Sequence, residues 1–171
     1  MADPQTAGLS VVQLTADQTY PLRLVVLRSD TPGKDVAFAE DSLPGTVHLG
    51  VRHGDRLVAT SSWIPRPFAA DPRHAAVQLR GMATLHELQG TGLGGMLLNA
   101  GLTRARESGA VLVWANARDA ALEFYRRHGF RVVGEGFVDA TTQLPHHVVV
   151  IDLLERTSSC ILIPPADVHT T

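Results

Sequence analysis

The stretch that most constrains this chain is residues 79–94, Leu-Arg-Gly-Met-Ala-Thr-Leu-His-Glu-Leu-Gln-Gly-Thr-Gly-Leu-Gly. It runs from an apolar segment of β character through a short polar turn into four glycines within six positions, Gly90 to Gly95, and then into an apolar helix. A helix that starts near Thr91 leaves its first N–H groups without internal partners, and the aligned peptide dipoles add positive character there. Glycines at such a place remove the Cβ atoms that keep an anion away from the amides. The stretch therefore predicts an anion site, with phosphate oxygens as its natural partners.

The remaining chain supplies elements on both sides of this turn. Residues 9–14 suit a short strand, residues 20–28 a helix, and residues 29–44 a polar loop punctuated by Pro32-Gly33 and Pro44-Gly45. Residues 47–52 and 56–64 read as a hairpin around Gly54, and residues 76–84 as the strand that delivers the chain to the glycines. A helix over 91–108 ends at Gly109, and a nearly all-apolar strand over 111–115 ends at Asn116. A second helix follows from Asp119 to His128-Gly129, then strands at 131–135 and 146–154. Gly101 lowers helix propensity without forbidding the helix. Residues 1–155 are expected to form one domain, with 156–171 a frayed or packed extension.

Charge limits the partners. Fifteen Lys and Arg against 17 Asp and Glu give a formal charge of −2, which supplies no broad field for nucleic acid. No uncharged apolar run approaches the ~18 residues a membrane helix needs, and Met1 to Ser10 carries no secretory signature. The lone Cys160 can form neither an internal disulfide nor a cysteine metal cluster, so a reducing cytoplasm is the expected setting. Adjacent His146 and His147 on a strand point to opposite faces and do not offer one ion two ligands, and no metal-spacing motif accompanies them. The glycine run lacks the Lys-Ser/Thr pair of a P-loop. It also lacks the strand and downstream acidic residue of a dinucleotide site.

With these residues in view, the chain resembles the GNAT superfamily of N-acetyltransferases. Gln89-Gly90-Thr91-Gly92-Leu93-Gly94 meets that family's acyl-CoA pattern between the expected strand and helix. The block from Asn116 through Tyr125 to Gly129-Phe130 resembles its distal segment. The Leu-Arg-Gly-Met-Ala run and Pro145-His146 resemble a bacterial branch of the superfamily.

The resemblance implies an α/β (α+β) fold, a mixed central sheet flanked by helices with two parallel strands, 76–84 and 111–115, splayed apart. It implies acetyl-CoA or another short acyl-CoA as co-substrate and no metal. Backbone groups of Met82, Ala83, Thr84 and Leu85 would hold the pantetheine arm. Gln89, Gly90, Thr91, Gly92, Leu93 and Gly94 would hold the pyrophosphate, with Arg104 or Arg106 toward the 3′-phosphate, and Asn116 would face the cofactor. Tyr125 is expected to protonate the departing thiolate, and Glu87 or His86 to take the proton of the amine. Glu40, Asp41 and His146 are the expected acceptor-binding residues. The implied activity is direct acyl transfer to a small-molecule amine or peptide N-terminus, with a homodimer as the expected assembly. The alternative is a catalytically weak acyl-CoA sensor.

Overall fold

Gly54, at φ +58°, closes a two-residue turn between strands β2 (Val47–His53) and β3 (Arg56–Pro65), where the sequence predicts the hairpin. Around this hairpin the computed structural model describes residues 8–154. The other strands are β1 (Leu9–Leu14), β4 (Ala76–Thr84), β5 (Leu112–Arg118), β6 (Arg131–Val138) and β7 (Pro145–Asp152). All seven form one sheet in the order β1-β2-β3-β4-β5-β7-β6, antiparallel except for the parallel β4–β5 pair. The expected mixed sheet is present. The expectations for Cys160 and the 156–171 extension lie outside the described residues.

Helices cover both faces. Helices α2 (Leu93–Glu107) and α3 (Leu122–Arg127) lie on one face, where Leu97, Leu98 and Tyr125 pack with Leu49, Val51, Val113 and Val149. Helix α1 (Ala16–Leu22) and the turn that follows it lie on the other, burying Leu22 and Val26 against Ala83. No helix among the described residues is long and apolar enough to cross a membrane.

Two expected boundaries move. The first helix begins at Ala16 rather than residue 20, and Pro21 inside it lacks the N–H that continues the ladder. Beyond Pro21 the chain widens into a π turn, Arg23–Leu27. The central strand β5 runs to Arg118, so Asn116 lies within it rather than ending it, because β7 pairs with it along its whole length.

The loop between α1 and β2 is pinned to the sheet by a buried ion pair. Arg23, 1% exposed, donates from Nη1 to Asp41 Oδ2 at 2.7 Å and from Nη2 to Asp41 Oδ1 at 2.9 Å. Its Nη2 also donates to Ser62 Oγ at 2.7 Å, and Ser62 bonds His48 Nδ1 at 2.7 Å. Burial alone would raise the Asp41 pKa, but hydrogen bonds from Arg23 and the Phe38 N–H hold it below the usual carboxylate value. The stabilisation is thus complete above the unfolded-state pKa and is lost as pH falls through the lower folded value. Asp41→Asn leaves Arg23 without its charge partner and is expected to cost about 3 kcal/mol in urea unfolding at neutral pH. A loss under about 1 kcal/mol would remove the pair from the framework.

Gly101 of α2 lies against the indole of Trp63, and a Cβ there would come within 1.8 Å of Trp63 Cζ2. Gly101→Ala gains about 1 kcal/mol of helix propensity but overpacks a filled site at a cost of about 1–3 kcal/mol. A lower denaturation midpoint is expected, and an unchanged or higher one would refute the contact.

Candidate active site

Strands β4 and β5 are paired only at Ala76–Leu112, Val77–Val113 and Gln78–Trp114. Beyond these three pairs the two strands part, while β4 keeps its ladder with β3 and β5 its ladder with β7. The opening lies between Arg80–Thr84 on one side and Ala115–Arg118 on the other.

The β4 wall carries a bulge. Pairing passes from Ser62–Arg80 to Thr60–Ala83, so one residue of β3 faces two of β4, and Gly81 there adopts φ +59°. A Cβ on Gly81 would meet Arg23 Nε and Phe38 Cε2, each at 3.0 Å. Past the bulge the Leu85 N–H donates to Val58 O at 3.0 Å. Since paired and unpaired residues alternate in an antiparallel ladder, Ala83 and Leu85 direct their backbone groups at β3. Met82 and Thr84 direct theirs into the opening. Of the four backbone positions expected to line the cleft, two do so, and the Thr84 carbonyl accepts a bond from Gln89 Nε2 at 3.2 Å.

The glycine turn divides by function. Gly90 (φ +80°) and Gly92 (φ +91°, the N-cap of α2) are left-handed, with nothing within 4 Å of the position a Cβ would take. The first helical bond runs from the Met96 N–H to Gly92 O, so the amides of Leu93, Gly94 and Gly95 have no helical partner. Open space, free amides and the positive end of the helix suit a pyrophosphate. The side-chain positions of Gly94 and Gly95 serve packing instead, since a Cβ there would meet Phe124 of α3 or His128 just past its end, each at 3.0 Å. The Leu93 side chain is buried, and Thr91 Oγ1 bonds Leu88 O at 2.6 Å. Arg104 and Arg106 stand in the last turn of α2, roughly 18 Å along the axis from the glycines at 1.5 Å per residue.

Tyr125 is buried on the α2 face, edge-on to Phe124 and Phe130 at centroid distances of 5.3 and 5.2 Å. Burial drives its pKa well above that of a free phenol. The hydroxyl is therefore protonated at any ordinary pH, as a proton donor must be. Asn116 is exposed on the opposite, α1 face of β5, between Trp114 and Arg118.

The residues expected to act as base are otherwise employed. The Glu87 carboxylate pairs with Arg56 at 2.9 Å on the surface. Its own backbone N–H and then Arg56 lower its pKa, which makes it a weak base. His86 is exposed and bonds Gln89 through Nδ1 at 3.3 Å. Asp41, expected to bind the acceptor, is the buried partner of Arg23, and Glu40 bridges Arg66 and Arg80 at 2.7 Å each. His146 lies cross-strand from Arg118, its Nδ1 bonded to Leu144 O at 2.8 Å and its ring stacked on Phe137. His147 turns instead to Asp119 at 2.7 Å. Among the described residues no three His, Cys, Asp or Glu side chains are arranged to hold a metal ion.

Sequence reasoning missed the arginines of the α1 face. Arg23 and Arg80 hold the Phe38 ring between them at 4.0 and 4.1 Å, and Arg28 and Arg118 meet at the Leu27 carbonyl. Their positions in the sequence share no spacing that could have drawn them together.

Comparison with known proteins agrees with this geometry. The family described as Acetyltransferase (GNAT) family matches residues 13–130. The uncharacterized N-acetyltransferase YitI of Bacillus subtilis is 31% identical over 150 residues, 88% of this chain and 99% of its own. Among solved structures, an acyl-CoA N-acyltransferase from Pseudomonas aeruginosa superposes with TM-score 0.66 at 20% identity, covering 83% of this chain and 98% of its own. An aminoglycoside 6′-N-acetyltransferase complexed with coenzyme A gives 0.65 at 13% identity, covering 86% and 98%. The chain therefore belongs to the GNAT family of acetyltransferases, and its opened sheet is that family's acyl-CoA fold.

Proposed function

We propose that this protein transfers an acetyl or other short acyl group from acyl-CoA directly to a primary amine. The observation that carries the proposal is the parting of β4 and β5 after three pairs, beside a helix whose N-terminus is opened by Gly90 and Gly92. Bound acyl-CoA supplies an activated thioester carbonyl. The amides of Leu93, Gly94 and Gly95 would hold the pyrophosphate, while Met82 and Thr84 offer backbone groups to the extended arm.

Attack by the amine places negative charge on the carbonyl oxygen, and an N–H fixed in a strand stabilises it without reorganising. The Thr84 N–H suits this task, because the Gln89 contact is made to its carbonyl and not to its amide. The thiolate that departs requires a proton, and Tyr125 keeps its own at neutral pH. On the acceptor side, bonding of His146 Nδ1 to a carbonyl makes that nitrogen the donor in the neutral ring, leaving Nε2 with the lone pair. His146 thus suits the basic role better than Glu87, whose carboxylate Arg56 holds ionised.

Thiol release from acetyl-CoA across pooled primary amines, with product masses, tests the activity. Absence of CoA binding by calorimetry would overturn it. Tyr125→Phe is expected to lower kcat by about tenfold to a thousandfold with little change in CoA affinity. Unchanged turnover would remove Tyr125 from the reaction. Gly92→Val forces a β-branched residue into the left-handed region and fills the open space, so CoA affinity should fall at least about tenfold. A folded variant with parental affinity would place the pyrophosphate elsewhere.

A further inference from the structure

Arg28 is 8% exposed, yet its hydrogen bonds go only to backbone carbonyls, from Nε to Asp35 O at 2.7 Å and from Nη1 to Leu27 O at 3.3 Å. No carboxylate pairs with it among the described residues. Arg118 of β5 donates Nη2 to the same Leu27 carbonyl, and its nearest carboxylate is the largely exposed Asp30 at 3.4 Å. Two guanidinium groups thus converge on one carbonyl, with the exposed Asp30 paired to Arg118 and no carboxylate paired to Arg28 among the described residues. Burial first, then Arg118 and Arg80, make the charged form of Arg28 less favourable, with partial relief from Asp139 and Asp35. Holding like charges together away from water is costly unless an anion completes the site.

The position indicates which anion. Arg118 and Asn116 share the α1 face of β5 along the opening, and Arg80 of β4 stands near enough to disfavour the charged form of Arg28. The glycine turn and the free amides of α2 belong to the other side of the sheet. The CoA phosphates and the anion at Arg28 are therefore separate. Arg80 shares Glu40 with Arg66, which leaves Arg28, with no carboxylate partner among the described residues, and Arg118, with only the exposed Asp30, as the cations open to an added anion.

Given the acyltransferase activity proposed above, we infer that the acceptor is an amino carboxylate, its carboxylate bound by Arg28 and Arg118 at the α1-side mouth of the opening. The planar fork of a guanidinium matches a carboxylate in a bidentate way. The same charge repels polyamines and other purely cationic acceptors.

The test compares thiol release from acetyl-CoA with L-amino acids, their amides, the corresponding decarboxylated amines and aminoalkyl phosphates, using the full chain. Amino acids are expected to exceed their amides by about tenfold or more in kcat/KM. In Arg118→Gln that acid-to-amide ratio should fall by about tenfold through KM, and Arg118→Lys should restore part of it. Equal use of acids and amides would overturn the inference, as would parallel losses on both in Arg118→Gln. Preference for the phosphates, or CoA binding without transfer to any amino carboxylate, would overturn it too. Transfer to neutral amines alone would leave the acyltransferase standing, whereas failure to bind CoA would remove both.

Discussion

The parting of β4 from β5 is the constraint on which the rest of the molecule depends. A continued parallel ladder would pair the backbone groups of Met82 and Thr84 with β5, each bond adding about 0.5–1.5 kcal/mol. The sheet forgoes those bonds and stays open because the bulge at Gly81 turns β4 aside. Phe38 and Arg23 fill the place where a Gly81 side chain would stand, and Asp41 fixes Arg23 there. On the other side β5 is held by seven residue pairs to β7. Each strand of the opening is thus tied to its own half of the sheet, and the gap is part of the folded structure.

This arrangement separates two kinds of recognition. On the α2 face the partners for a ligand are backbone amides, placed by left-handed Gly90 and Gly92 and by the start of the helix. On the α1 face they are side chains from distant segments, Arg28, Arg80, Arg118 and His146, brought together by the fold. Backbone sites tolerate change at the side chains around them. Side-chain sites do not, which is the reason for assigning recognition of the second substrate, in the function proposed, to the α1 face.

That division also explains what the sequence made legible. Strand β4 falls at residues 76–84 as expected, and α2 begins two residues after the predicted start, because turn and helix grammar is local. The glycines were legible as a group but not in their roles. Only the position of α3 shows that Gly94 and Gly95 make room for Phe124 and His128. Local residue types marked Glu87, His86, Glu40 and Asp41 as candidates for proton transfer or acceptor binding. In the fold Arg56 and Arg23 pair with two of these carboxylates, two further arginines share Glu40, and His86 stays exposed beside Gln89.

The arginines escape detection for a specific geometric reason. Residues 23 and 28 are five apart, and in an α-helix of 3.6 residues per turn they would point about 140° away from each other. An amphipathic helix of that kind buries one and exposes the other. Here Pro21 interrupts the ladder, and the following turn takes the i→i+5 repeat of a π-helix, which returns residues five apart to nearly the same side. Arg23 and Arg28 are consequently both buried together with Leu22 and Val26, while Leu24 and Val25 are exposed. The π turn thus brings two cations inward beside the apolar Leu22 and Val26. Asp41 compensates the first within the fold, whereas the second is held only by the Asp35 and Leu27 carbonyls, which is why the proposed acceptor carboxylate is assigned to it.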